Sequence, residues 1–230
     1  MTVLTILQAR MTSSRLPGKV MRPILGEPMI GRQIERLRRS RRLGTLLVAT
    51  STDATDQVIA DYCTGLGCAV FRGDLHDVLG RYHAAYQAHG PADHIVRLTA
   101  DCPLADWSVI DACIERHLDS GADYSSNTVD RTYPKGLDVE VFRAGLLAEI
   151  NAEAVSAYDR EHVTPFFYHH PERFRIAQLT QTDGRPDVRW TVDTPEDFIF
   201  VRKVYEALYV TKPAFDSLDI RRVEAECLPV

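Results

Sequence analysis

The chain has 230 residues, 45% of them hydrophobic and 26% charged, with a formal net charge of −5. That length fits one large domain better than two small ones, and the composition is that of an ordinary globular protein. The acidic balance argues against a protein that coats nucleic acid, though not against a local anion site, and no apolar run approaches the ~20 residues a membrane span needs.

The opening, MTVLTILQARM, is apolar but short and lacks a basic leader and a clear small-residue cleavage site. It reads as a buried strand over residues 3–9 of a cytoplasmic protein. Ile30, Ile34 and Leu37 recur at i, i+4 and i+7 and predict a helix from Pro28 to about Arg42. Its arginines (Arg32, Arg36, Arg38, Arg39, Arg41 and Arg42) lack interleaved aromatics, so they are expected on a solvated face and not in a nucleic-acid patch. A strand at 46–51 follows, then a helix from Asp53 to about Gly67 with Thr52 or Asp53 as its cap, and a short strand at 69–73. Next come a helix from about Asp77 to His89, a strand at 94–101 ending in an acid, and a helix from Asp106 to about Ser120 capped by Asp106. This alternation predicts an α/β fold with a mostly parallel sheet and helices on both faces.

The second half changes rhythm. Strands are expected at 124–127, 137–142, 175–180 and 188–193, with helices near 143–150 and 159–170, as a mixed extension and lid on the same core. A helix from Pro195 to about Leu208 has proline in its first turn. The expected organisation is a single domain over 1–210 and a tail over 211–230 with weak structure signals. Five cysteines without C-x-x-C spacing read as reduced thiols, and the eight histidines form no zinc spacing.

Two features carry chemistry. The stretch LQARMTSSRLPGKV places Arg10, Arg15 and Lys19, with Ser13 and Ser14 between them, just after the first strand. Ligands of open α/β sheets bind beyond the carboxyl ends of strands, so this loop is placed to hold a triphosphate, with Gly18 letting the backbone turn close to it. It is neither a Walker loop nor a G-x-G-x-x-G turn, and a solvated basic loop is the alternative. The second feature is a pair of acids, Asp101 and Asp193, at the ends of distant strands; two converging carboxylates suit Mg²⁺ with substrate phosphates. Alternatively, Asp101 caps the turn through Pro103 and Asp193 caps the following helix, with Asp197 a first-turn acid facing solvent. Cys102 reads as a structural thiol.

Together the blocks LQARMTSSRLPGKVMRPILGEPMI, RLTADCPL, YPKGLDVEVF, REHVTPFF and TVDTPEDF resemble the CTP-dependent sugar cytidylyltransferases, most closely the spore-coat polysaccharide biosynthesis branch, over roughly residues 3–205. Thr99 and Ala100 stand where the octulosonate enzymes of that group have glutamine and glycine. The resemblance implies a three-layer sandwich of nucleotide-diphospho-sugar transferase type and transfer of CMP from CTP to a sugar or sugar acid with release of pyrophosphate. It implies nucleotide contacts from backbone groups near Leu7, Gln8 and Ala9 and from Arg10, Ser14, Arg15, Lys19, Arg81 and Thr99, with Arg10, Lys19 and Asp101 catalytic. It implies Mg²⁺ on Asp101 and Asp193, acceptor contacts from Asn127, Lys135, Asp138, Glu140 and Glu161, and a homodimer with no nucleic-acid or membrane partner. The rival readings are a glycosyltransferase and a non-catalytic nucleotide-sugar-binding protein of the same fold. The first usually carries D-x-D, to which Asp138-Val139-Glu140 is the nearest approach.

Overall fold

A computed structural model describes residues 1–227. In chain order the strands are β1 (Val3–Gln8), β2 (Pro23–Ile24), β3 (Glu27–Pro28), β4 (Thr45–Ser51), β5 (Ala69–Gly73), β6 (His94–Thr99), β7 (Tyr124–Ser126), β8 (Glu140–Arg143) and β9 (Ile176–Gln178). The helices are α1 (Met29–Leu37), α2 (Gln57–Gly65), α3 (Val78–His89), α4 (Trp107–Ser120), α5 (Leu147–Glu153), α6 (Ala157–His162), α7 (Pro165–His169), α8 (Pro195–Leu208) and α9 (Ser217–Cys227).

The main sheet runs β5-β4-β1-β6-β8-β7-β9, and β8 alone lies antiparallel to its neighbours. β1 sits between β4 and β6, so its side chains are buried on both faces, which is why it reads as an unbroken apolar run. Leu4 and Ile6 point into a core shared with α3, α5 and α7. Leu7 points into the opposite core, shared with α1, α4 and α8. The expected α/β sandwich with a mixed second half is therefore present, and Asp106 caps α4 by accepting the Ser108 N–H at 2.8 Å.

Several expectations are corrected. The span 188–193 is no strand: only a bridge between Lys135 and Arg189 forms. Trp190 and Val192 are buried and alternate like strand residues, but Gly136 across from them has φ +107 and turns the chain away after one pairing. The helix expected over 159–170 is broken at Val163, whose φ is +71, into α6 and α7. The helix expected to reach Arg42 ends at Leu37, and Asp111 of α4 then accepts the backbone N–H groups of Arg41 and Arg42 at 3.1 and 3.0 Å.

The solvated arginine face is corrected at Arg32 and Arg36, and the tail at α9, while Arg38, Arg41 and Arg42 are exposed as expected. Arg36 is 2% exposed and Arg32 is 7% exposed, so neither is solvated. Arg36 donates its Nε–H to the Ala105 carbonyl at 2.8 Å and lies 4.2 Å over the Phe215 ring. Arg32 donates to the Ile24 carbonyl at 3.0 Å and lies 4.2 Å over Tyr209. Tyr209 directly follows α8, and Phe215 comes from the segment read as a tail, where Phe215 and Ile220 are fully buried and α9 forms. The Ser217 N–H binds Asp106 at 2.8 Å, which ties α9 to the start of α4. Arg36→Ala is therefore expected to cost about 2–3 kcal/mol, from a lost buried hydrogen bond and desolvated cation–π contacts. Urea unfolding measures the loss, and hydrogen exchange should show residues 211–227 opening first.

Candidate active site

The basic loop is held from below. Asp56, fully buried, accepts the Met11 N–H at 2.7 Å with one oxygen and the Ser51 N–H at 3.1 Å with the other. It thereby fixes the loop to the carboxyl end of β4. Gly18, at φ +70, donates its N–H to the Met11 carbonyl at 2.9 Å and opens a short 3₁₀ turn, Lys19–Met21. That turn points Lys19 inward, where the residue is only 8% exposed.

Lys19 is the centre of the site. Its Nζ donates to the Val192 carbonyl at 2.6 Å and lies 3.3 Å from Asp101 and 3.1 Å from Asp193. Asp101, just past β6, and Asp193, just before α8, thus converge, although Asp193 follows no strand. Asp101 also accepts the Thr99 hydroxyl at 2.6 Å. Asp193 faces two further cations, Arg15 and Arg189, each at 3.1 Å. Burial opposes its ionisation, but the Lys19 charge and the bonds from Lys19 and Arg189 outweigh it and hold the carboxyl below its ordinary range. Asp193 does not cap α8. Thr194 does, accepting the Asp197 N–H at 3.3 Å, while Asp197 accepts the Thr194 N–H at 2.9 Å. Asp197 is consequently turned into this capping box and towards Arg189, not to solvent. Burial and the neighbouring Asp101 push the Cys102 thiol well up, as suits a structural thiol.

A cleft of about 310 Å³ opens above this centre. Of the residues expected at the site, Gln8, Ala9, Arg10, Ser14, Arg15, Lys19, Arg81, Thr99, Asp101, Glu161 and Asp193 line it. Arg10 pairs with Glu161 at 3.3 Å across the opening. The others lie elsewhere. The Leu7 side chain is in the core. Asn127 is buried, donating to the Leu137 carbonyl at 2.7 Å and accepting the Val139 N–H at 2.9 Å. Lys135 sits in the bridge with Arg189. Asp138 is gripped by the Arg131 fork at 2.6 and 3.0 Å. Glu140 is buried against Arg97, Tyr124 and Thr164. Because Asp138 and Glu140 are both engaged by arginines, the approach to D-x-D offers no metal site.

Sequence reasoning missed Arg97 and His162, which line the cleft, and Asp56 and Arg189, which brace it. An arginine inside a β-strand facing a ligand cleft was a signal available at Arg97; Asp56 gave none. Among the described residues no cluster of three or more His, Cys, Asp or Glu side chains could hold a metal by itself. Two carboxylates that need substrate oxygens and water to complete the shell fit Mg²⁺ better than a metal held wholly by protein.

A cationic cleft at the carboxyl ends of parallel strands, with paired acids beneath it, suits a nucleoside triphosphate and a divalent metal ion, as a nucleotidyltransferase requires. The sequence model of the Cytidylyltransferase family matches residues 4–214. The spore coat polysaccharide biosynthesis protein SpsF of Bacillus subtilis (strain 168) is 36% identical over 211 residues, covering 89% of this chain and 86% of that protein. A cytidylyltransferase from Leptospira borgpetersenii serovar Hardjo-bovis (strain JB197) superposes with a TM-score of 0.93 at 30% identity, covering 98% of this chain and 94% of the other. A CMP:2-keto-3-deoxy-manno-octonic acid synthetase in complex with CTP shares the fold, with a TM-score of 0.66 at 17% identity over 90% of this chain and 99% of its own. This chain belongs to the cytidylyltransferase family and is a CTP-dependent nucleotidyltransferase.

Proposed function

We propose that the chain transfers CMP from Mg²⁺-bound CTP to an oxygen of a sugar-acid acceptor, releasing pyrophosphate, in the making of a polysaccharide or glycoconjugate. The observation that carries this reading is the Lys19 ammonium, held within 3.3 Å of both Asp101 and Asp193 at the floor of an arginine-lined cleft. An acceptor hydroxyl attacks the α-phosphorus, and the α–β bond breaks in line. Arg10, Arg15 and Lys19 hold the triphosphate and neutralise charge on the departing pyrophosphate, while Arg81 reaches the nucleotide from α3. Asp101 and Asp193 would hold the metal ion, which supplies charge stabilisation at the phosphoryl oxygens. Glu161 faces the acceptor half of the cleft and orients Arg10. The reading includes a homodimer working in the cytoplasm without nucleic-acid or membrane partners. The net charge of −5 argues against a nucleic-acid partner. No described helix is long and apolar enough to cross a membrane.

The test is a pyrophosphate-release screen of CTP, UTP, GTP and ATP against sugar acids, sugar phosphates and their neutral parent sugars. Release with CTP and an acid is expected. Mg-CTP at a hundred times its Kd should stabilise the fold by about 2.7 kcal/mol. A thermal shift with Mg-ATP as large as with Mg-CTP would count against cytidine selectivity.

A further inference from the structure

We infer that Arg97 is the specificity-determining contact for an anionic group of the acceptor, carboxylate or phosphate, and that Glu140 positions it; the assignment rests on the function proposed above. Arg97 lies on β6, directly across the sheet from Glu140 of β8. Alternation puts its side chain on the same face as Thr99, so it enters the cleft from the floor, where it is 12% exposed. Its neighbours there are His162 and Glu161 of α6. This is the β6–β8 half of the sheet, beyond β1 and its loop, which carry the triphosphate contacts.

The hydrogen bonding of the pair is lopsided. Glu140 is largely engaged: one oxygen takes Arg97 Nη1, and the other takes the Tyr124 hydroxyl at 2.7 Å and the Thr164 hydroxyl at 2.5 Å. It is buried and does not line the cleft, so it is placed to hold Arg97 and not to touch the acceptor as the family resemblance implied. Arg97 is only partly used. Its Nε is buried without a partner, and among the described residues no protein group accepts from Nη2. A guanidinium fixed by one nitrogen, with unused donors at the floor of a ligand cleft, is arranged to grip an acid that arrives with the substrate. The Tyr124 and Thr164 hydroxyls keep Glu140 from rotating, which keeps the Arg97 plane fixed.

Arg97→Met and Arg97→Lys are compared with the wild type for CTP binding by calorimetry and for pyrophosphate release, using the best acid of the acceptor panel and its neutral parent sugar. In Arg97→Met the acceptor KM is expected to rise about 30–100-fold, with the KM for CTP within about threefold and the preference for the acid over the neutral sugar largely lost. Arg97→Lys should recover part of the preference, since it keeps the charge but not the fork. Glu140→Gln should show a weaker version of the same split. A sugar phosphate as best substrate in place of a sugar acid identifies the anion as phosphate. An unchanged acceptor KM, or equal rises for CTP and acceptor, overturns the assignment. So does a wild type that prefers neutral sugars. If Arg97→Met fails to fold, Arg97→Lys decides, because it retains a cation beside Glu140. Failure of the wild type to bind CTP instead refutes the proposed function itself, and the assignment falls with it.

Discussion

Asp101→Asn is expected to lower turnover by about 10²–10³-fold while leaving the fold intact. The substitution keeps the side-chain shape, and an amide oxygen can still accept the Thr99 hydroxyl that Asp101 now accepts at 2.6 Å. Lys19 keeps its two other partners, the Val192 carbonyl and Asp193. The charge that would hold the metal ion and face the α-phosphate is what disappears. Urea midpoints should therefore differ by no more than about 0.5 kcal/mol in stability, as at a site outside the core. Metal affinity, measured by Mg²⁺ titration of activity and by calorimetry with CTP, should fall in parallel with kcat. A variant that lost stability while its folded fraction turned over normally would make Asp101 a turn-forming residue and nothing more.

Lys19→Ala should damage both chemistry and structure, in separable ways. Charge on the leaving group grows as the α–β bond breaks, so kcat should drop by about 10²–10³-fold, with a smaller rise in the KM for CTP. The structural loss comes from the Val192 carbonyl left without its donor and from two carboxylates left facing each other. An unsatisfied buried acceptor alone costs about 1–3 kcal/mol. The pH dependence separates these effects. The Asp193 carboxyl titrates below its ordinary range despite burial, with Lys19 the largest favourable cause. That contribution to stability is present above the unfolded pKa and fades as pH falls through the folded one. The stability gap between wild type and Lys19→Ala should therefore be widest at neutral pH and shrink below about pH 4. Arg15→Ala gives the contrast. Its side chain is 61% exposed, so it should weaken CTP binding with little change in melting temperature.

Much of this was legible in the chain because it depends on local pattern. The run VLTILQ is apolar at most of the positions a strand buried on both faces must fill, and its one buried polar residue, Thr5, donates to the Leu43 carbonyl at 2.6 Å. Asp106 stands where a cap must stand before the apolar positions of α4. Arg10, Arg15, Lys19 and Asp101 could be named because strand ends are where an open α/β sheet presents its functional groups; Asp193 was named from an expected strand that does not form, yet the cleft gathers all five. The acceptor side was harder to read. Asn127, Asp138 and Glu140 have side chains chemically suited to a sugar, but in the folded chain they bond Leu137, Arg131 and Arg97, and the exposed Lys135 lies outside the cleft.

By itself, then, the sequence determined the alternation of strands and helices and the place of the basic loop beyond the first strand, because each follows from spacing along the chain. It singled out Asp101 and Asp193, and the fold brought them together on Lys19. Only the tertiary structure decided which polar side chains are free. Arg36 and Arg32 lie on a helix face that looks charged in isolation, and they are buried because Phe215 and Tyr209 arrive from much later in the chain to cover them. Asp56 supports the loop through a bond to Met11 across 45 positions, and Arg97 faces the cleft with its charge fixed by a residue 43 positions away. A side chain's burial and hydrogen-bond partners are set by neighbours brought in from distant segments, and no window of local sequence contains them.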